Sequence, residues 1–163
     1  MKIPSAEEQR QTYLAELQPH VAEPILAIGF FTSAGYLAGL KGDYAEASAL
    51  RFLSPIFGRL YRRGKVNARV DASRNDLVAV TDTSVYLFEF PKRGGAFSVT
   101  GPPTVWRRSD ITVTAGAEAK YAQPLHVVFS SGETADYDIS NGAGDYATFS
   151  DAMRELLLSP VAL

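Results

Sequence analysis

Hydrophobic and polar residues alternate with a period of two over much of the chain beyond residue 77, and this alternation limits the folds open to it. Leu77–Val80 and Val85–Phe90 flank the turn residues Thr81–Thr83. Leu125–Phe129 and Ala135–Ile139 flank a second turn. Because side chains alternate between the two faces of a strand, and because short polar turns join antiparallel neighbours, the pattern predicts hairpins in an antiparallel sheet.

Helices are predicted at both ends of the chain. Ser5 and Glu8 have the spacing of a capping box, in which each side chain satisfies the backbone amide of the other, so a helix is expected over 6–19. Apolar side chains between Tyr146 and Leu157 recur on one helical face, which predicts a closing helix over 145–158.

Seven segments have the length and pattern of strands. A helical insertion over 43–64, with an N-terminal cap at Asp43 and a glycine stop at Gly64, separates the first strand from the second. A length of 163 residues is that of one domain, spanning 1–163. The predicted strands are 25–31, 77–81, 84–90, 104–107, 111–114, 124–130 and 134–139.

This order of elements predicts an α+β fold: a pleckstrin-homology-like (PH-like) seven-stranded antiparallel barrel or bent sandwich with a C-terminal capping helix. The segment Leu77–Phe88 resembles a hairpin of small uncharacterised bacterial proteins of this fold, which are frequent in actinobacteria. Val105–Ile111, the hairpin around Gly132, Tyr13–His20 and the segment 25–31 are similar to further parts of that family. The resemblance brings no catalytic residues to this chain.

Two departures separate the chain from phosphoinositide-binding domains of this fold. Their lysine–basic–x–arginine signature is missing, because the run Arg62–Lys65 does not have its spacing. Their tryptophan in the closing helix is also absent, because the single tryptophan of this chain, Trp106, lies on a predicted strand. The resemblance therefore does not imply recognition of inositol phosphates.

Composition excludes several chemistries. With no cysteine, the chain has no disulfide, thiolate zinc site, iron–sulfur cluster or cysteine nucleophile, and two histidines are too few for a multi-histidine metal site. No apolar signal-peptide core follows the N-terminus. The longest uncharged stretch, Pro24–Leu40, is shorter than the roughly 20 residues that cross a bilayer. We expect a cytoplasmic protein without a transmembrane segment or cofactor.

A basic run from Arg51 to Arg69 is the strongest sign of a binding surface. It contains no acidic residue, and its apolar side chains recur at helical spacing, which predicts a helix with an apolar face bordered by a basic one. Such a helix suits a protein partner or weak contact with an anionic membrane, or it packs on the sheet with its charges solvated. Nucleic acid is less favoured because the net charge is −2 and no recognition motif is present. The basic residues are Arg51, Arg59, Arg62, Arg63, Lys65 and Arg69.

A second group of polar residues lies in the last predicted hairpin. Asp136 and Asp138 share one face of a strand, which we expect to be exposed, and His126 lies on the face opposite to Leu125. The spacing onward to Asp145 does not fit a calcium loop, and Asp145 is predicted to cap the closing helix.

The primary functional expectation is a non-enzymatic cytoplasmic binding or adaptor module. The alternative is a small-molecule-binding protein or minor enzyme that uses His126, Asp136 and Asp138 in a cavity of the sheet. A self-associating structural domain is a third possibility, so homo-oligomers stay open.

Overall fold

The protein is described by a computed structural model over residues 2–33, 75–90, 97–118, 122–140 and 144–159. Its described strands form one antiparallel sheet with the spatial order β4-β3-β2-β1-β7-β6-β5. The prediction of a mainly antiparallel, seven-stranded sheet is confirmed. The strands are β1 (Ala27–Ser33), β2 (Asn75–Val80), β3 (Ser84–Glu89), β4 (Thr104–Arg107), β5 (Ile111–Ala115), β6 (Ala122–Phe129) and β7 (Thr134–Ser140).

Of the two predicted forms, a barrel or a bent sandwich, the closed barrel is wrong, because β4 and β5 form the two edges of the sheet and do not pair with each other. A three-residue 3₁₀ turn, Arg108–Asp110, joins these two strands. Near this turn, the Trp106 ring on β4 lies edge-on to Phe129 on β6, with 5.2 Å between ring centroids. The sheet therefore curls without closing.

The N-terminal helix, α1 (Ala6–Leu17), covers the outer face of β1, β2 and β3. Its predicted capping box is present: the Ser5 amide donates to Glu8 over 2.7 Å, and the Glu8 amide donates to the Ser5 hydroxyl over 3.2 Å. These contacts hold the pKa of Glu8 below its usual value, chiefly through the Ser5 backbone. Tyr13 and Leu17 point from α1 into an aromatic outer cluster that includes Phe30 of β1.

The C-terminal helix, α2 (Asp151–Leu158), covers the inner face. Met153 and Leu157 pack there against an inner cluster, and α2 lies closest to β1, where Gly29 leaves room for Met153. The inner cluster is apolar: its buried members are Ala27, Phe31, Val78, Val80, Val85, Leu87, Leu125, Val127, Ile139, Met153 and Leu157.

The predicted closing helix over 145–158 is too long at its start, because α2 begins at Asp151 and its N-cap is Ser150 rather than Asp145. Before that point the backbone forms i→i+3 hydrogen bonds, from Ala147 to Gly144 and from Phe149 to Tyr146. Side chains three residues apart eclipse in such turns. Tyr146 and Phe149 therefore both pack on the outer cluster, while the helix proper packs on the inner one.

The buried side chain of Arg108 connects the end of α2 to the sheet by hydrogen bonds. Arg108 donates from Nη1 to the carbonyls of Thr81 and Asp82, over 3.1 Å each, and from Nη2 to the Leu156 carbonyl over 2.8 Å. The last four carbonyls of a helix have no partner within the helix, and the negative end of its dipole favours a cation. Arg108 therefore links α2 to the turn between β2 and β3.

Burial of Tyr13 predicts that stability falls at alkaline pH. Burial raises the pKa of this hydroxyl, and neighbouring Tyr146 raises it further. The folded state therefore keeps the Tyr13 proton where an unfolded tyrosine loses it, above about pH 10. The contribution of this proton to the free energy of unfolding is complete below that pH. It is lost as the pH rises toward the pKa of Tyr13 in the folded state, by at most about 1.4 kcal/mol per pH unit. Urea unfolding at about pH 8 and about pH 11 measures the loss, and Tyr13→Phe should make it smaller. An equal loss in Tyr13→Phe would contradict the assignment.

Candidate functional site

The basic run lies in the connection between β1 and β2. These strands are neighbours in the sheet, and Thr32 near the end of β1 stands opposite Asn75 at the start of β2. The connection therefore leaves and re-enters the sheet at adjacent positions. The predicted helical insertion 43–64 lies outside the described residues. The six basic residues of the predicted binding surface lie outside them as well: Arg51, Arg59, Arg62, Arg63, Lys65 and Arg69.

Charge is divided sharply between the described residues and the rest of the chain. The described residues include fifteen acidic and only five basic side chains, whereas the remaining residues include eleven basic and three acidic ones. An acidic folded body thus carries the basic segment. The acidic described residues and the basic run therefore favour different partners, because a charged surface attracts ligands of the opposite charge.

Buried polar side chains lie in a row where the connection meets the sheet. Asn75, Thr32 and Asp138 stand opposite one another on β2, β1 and β7, and each is at most 2% exposed. They share the outer face with Phe30, two residues before Thr32. The expectation that Asp136 and Asp138 share an exposed face is therefore only half right, because Asp138 is buried.

His126 and Asp136 form a surface pair on the outer face of β6 and β7. His126 Nδ1 lies 2.6 Å from Asp136 Oδ1, and both side chains are about half exposed or more (46% and 61%). Thr114 of β5 stands opposite His126 on the other side. Exposed pairs of this kind are strongly screened by water.

The pair does not line the interior of the sheet, because the neighbouring Leu125 and Val127 fill it. His126 and Asp136 therefore do not line a cavity inside the sheet, whereas Asp138 is buried on its outer face. Sequence spacing assigned His126 no partner. Counting outward from the turn at Ser130–Gly132 gives the register that pairs it with Asp136.

Among the described residues, no three His, Asp or Glu side chains come together in a group that could hold a metal ion. No helix in the described part of the chain has the length and apolarity needed to cross a bilayer. No protein-family model matches the chain, and no curated protein matches it.

Proposed function

We propose that this chain is a non-enzymatic cytoplasmic binding module of PH-like fold, whose basic insertion binds an acidic surface of a protein partner. One observation carries the proposal: a run of six basic residues without an acid is inserted between two paired strands of a sheet domain whose described residues are strongly acidic. The seven described strands pair into one sheet without a contribution from this segment.

The strand order supports the PH-like part of the proposal. Successive strands β1 to β4 pair as a meander, and β5 to β7 pair as a second meander. β1 belongs to both, since it pairs with β2 over its length and with β7 near its end. The terminal helix α2 then packs over the inner face, as a capping helix does in the fold that the sequence resembles.

A protein partner is favoured over a membrane by the charge of the folded body. Each basic residue near an anionic bilayer contributes roughly 1 kcal/mol at most, and salt reduces this. A bilayer is a wide anionic plane, so it also repels the fifteen acidic side chains of the described residues. An acidic patch on a protein is limited in size and attracts the insertion with less repulsion of the rest.

The double substitution Arg62→Glu with Arg63→Glu tests the proposal. With poly-L-glutamate as the probe, we expect binding to weaken by about tenfold or more, because four units of charge change within the basic run. The melting temperature should stay nearly unchanged. Fluorescence titration of the single tryptophan, Trp106, or calorimetry measures the affinity.

Arg107→Glu is the matched control, because Arg107 is an exposed arginine on β4, outside the basic run. It should leave poly-L-glutamate binding close to that of the unmodified chain. Equal effects of the two changes would remove the basic run as the site. Binding to phosphatidylserine vesicles without binding to poly-L-glutamate would replace the protein partner by a membrane.

A further inference from the structure

The two edges of the sheet differ in how they are protected against further pairing. β4 is only four residues long and follows Pro102 and Pro103, and proline cannot donate a backbone hydrogen bond. β5 has the sequence Ile-Thr-Val-Thr-Ala, without charge or proline and rich in β-branched residues. Proteins usually blunt an exposed edge with charges, prolines or bulges. β5 carries none of these features.

The register shows which backbone groups of β5 face its free edge. The Ser130 amide donates to the Asp110 carbonyl over 2.7 Å, and the Gly116 amide donates to the Pro124 carbonyl over 2.9 Å. In an antiparallel ladder such bonded positions alternate, so Thr112 and Thr114 bond to β6. The intervening odd-numbered residues point their amides and carbonyls away from β6.

Among the described residues, none accepts a hydrogen bond from the amides of Val113 and Ala115, which point to this edge. The Ile111 amide donates a hydrogen bond to the Arg108 carbonyl and does not point to a partner strand. Within the described part of the chain, β6 is the only strand that pairs with β5. The edge therefore offers two amides, alternating with carbonyls, at the spacing that an added antiparallel or parallel strand requires.

The inner cluster is also left open along β5. Ile111, Val113 and Ala115 face this cluster but are only half-buried, whereas Leu125 and Val127 on neighbouring β6 are 2% and 0% exposed. A strand added beside β5 would cover this apolar surface with every second side chain.

Acidic side chains flank β5 in the sequence and lie on the helix that packs against it. Exposed Asp110 precedes β5 and exposed Glu118 follows it. Helix α2, which packs against β5, adds exposed Glu155, while its Asp151 is paired with Arg154 over 2.8 Å. The charge around the edge therefore complements a strand that has basic residues at its ends.

We infer that the free edge of β5 binds an extended segment of another protein, with alternating apolar residues and basic ends, as an eighth strand of the sheet. Backbone hydrogen bonds to Val113 and Ala115 supply affinity, the half-buried inner face of β5 selects apolar side chains, and the acidic surroundings select basic ends. The residues of this site do not include the basic insertion, and they take a partner segment of basic rather than acidic charge.

Amide hydrogen exchange with a designed peptide tests the inference. The probe is the capped peptide Lys-Thr-Val-Thr-Val-Thr-Lys. At saturation, we expect the exchange rates of the Val113 and Ala115 amides to fall by at least about tenfold, since exchange then requires release of the added strand. The Val105 and Arg107 amides on the edge of β4 should not change. A peptide N-methylated at alternate residues should bind about tenfold more weakly, and replacing both lysines by glutamate should also weaken binding.

Val113→Pro tests the same backbone hydrogen bonds from the side of the protein. It removes one edge donor and leaves the bonds of Thr112 and Thr114 to β6 intact, so binding should weaken about fivefold. Val113→Thr keeps the amide and serves as the control. If Val113→Pro does not fold, the N-methylated peptide decides the question with the unmodified chain.

The inference would be overturned by no binding of the probe at millimolar concentration, by protection at β4 instead of β5, or by full affinity of the N-methylated peptide. Protection of Val113 that grows with protein concentration in the absence of peptide would assign the edge to a second copy of this chain, which also overturns it. Loss of poly-L-glutamate binding by the Arg62→Glu, Arg63→Glu variant bears only on the basic insertion.

Discussion

Phe30→Ala is expected to lower the free energy of unfolding by about 4 kcal/mol, the largest loss that we predict for one substitution. Phe30 is 1% exposed on β1. Its ring stacks on Phe149 at 5.2 Å between centroids and meets Tyr13 edge-on at 5.8 Å. Truncation leaves a cavity where α1, β1 and the segment before α2 meet, and it removes these aromatic pairs.

Urea unfolding measures the effect of this truncation, with Phe97→Ala as the graded control. Phe97 also meets Tyr13 edge-on but is only half-buried, so its truncation should cost about half as much. If Phe30→Ala does not fold, Phe30→Leu should still fold, at a cost of about 1.5 kcal/mol. Equal losses in Phe30→Ala and Phe97→Ala would show that the outer cluster is not centred on Phe30.

Arg108→Ala is expected to lower the free energy of unfolding by about 3 kcal/mol. The substitution leaves three buried or half-buried carbonyls, on the β2–β3 turn and on α2, without their shared donor. Arg108→Lys should recover part of the loss, because an ammonium group restores the charge near the end of α2 but not the planar fork.

Arg107→Ala is the control for this prediction, because Arg107 is the exposed neighbour at the end of β4, and it should change stability by less than about 0.5 kcal/mol. Urea unfolding gives the energies, and hydrogen exchange of the last turn of α2 gives the location. Equal stability of Arg108→Ala and Arg107→Ala would show that the carbonyls find water instead.

Local sequence patterns predicted most of the fold. All seven strands lie within two residues of the predicted bounds, because alternation is a property of a strand that is buried on one face. The helix start at Ser5 was predictable because a capping box involves only residues three apart. The start of α2 was not, since helical spacing also fits the 3₁₀ turns that place Tyr146 and Phe149. There the Ser150 hydroxyl is held by distant groups: it donates to the Ser140 carbonyl and accepts from the Phe30 amide.

The candidate sites also differ in whether local sequence could predict them. The basic run and its lack of acidic residues are properties of the sequence. The contact of His126 with Asp136 and the burial of Asp138 depend on strand register and on packing by residues far along the chain. The unprotected edge at β5 depends on the curvature of the whole sheet.

The sequence by itself determined the order of the strands along the chain, the two terminal helices and the basic segment inserted between the first two strands. Short-range spacing encodes these features. Only the tertiary structure decided that the sheet stays open between β4 and β5, because closure depends on how seven strands twist together.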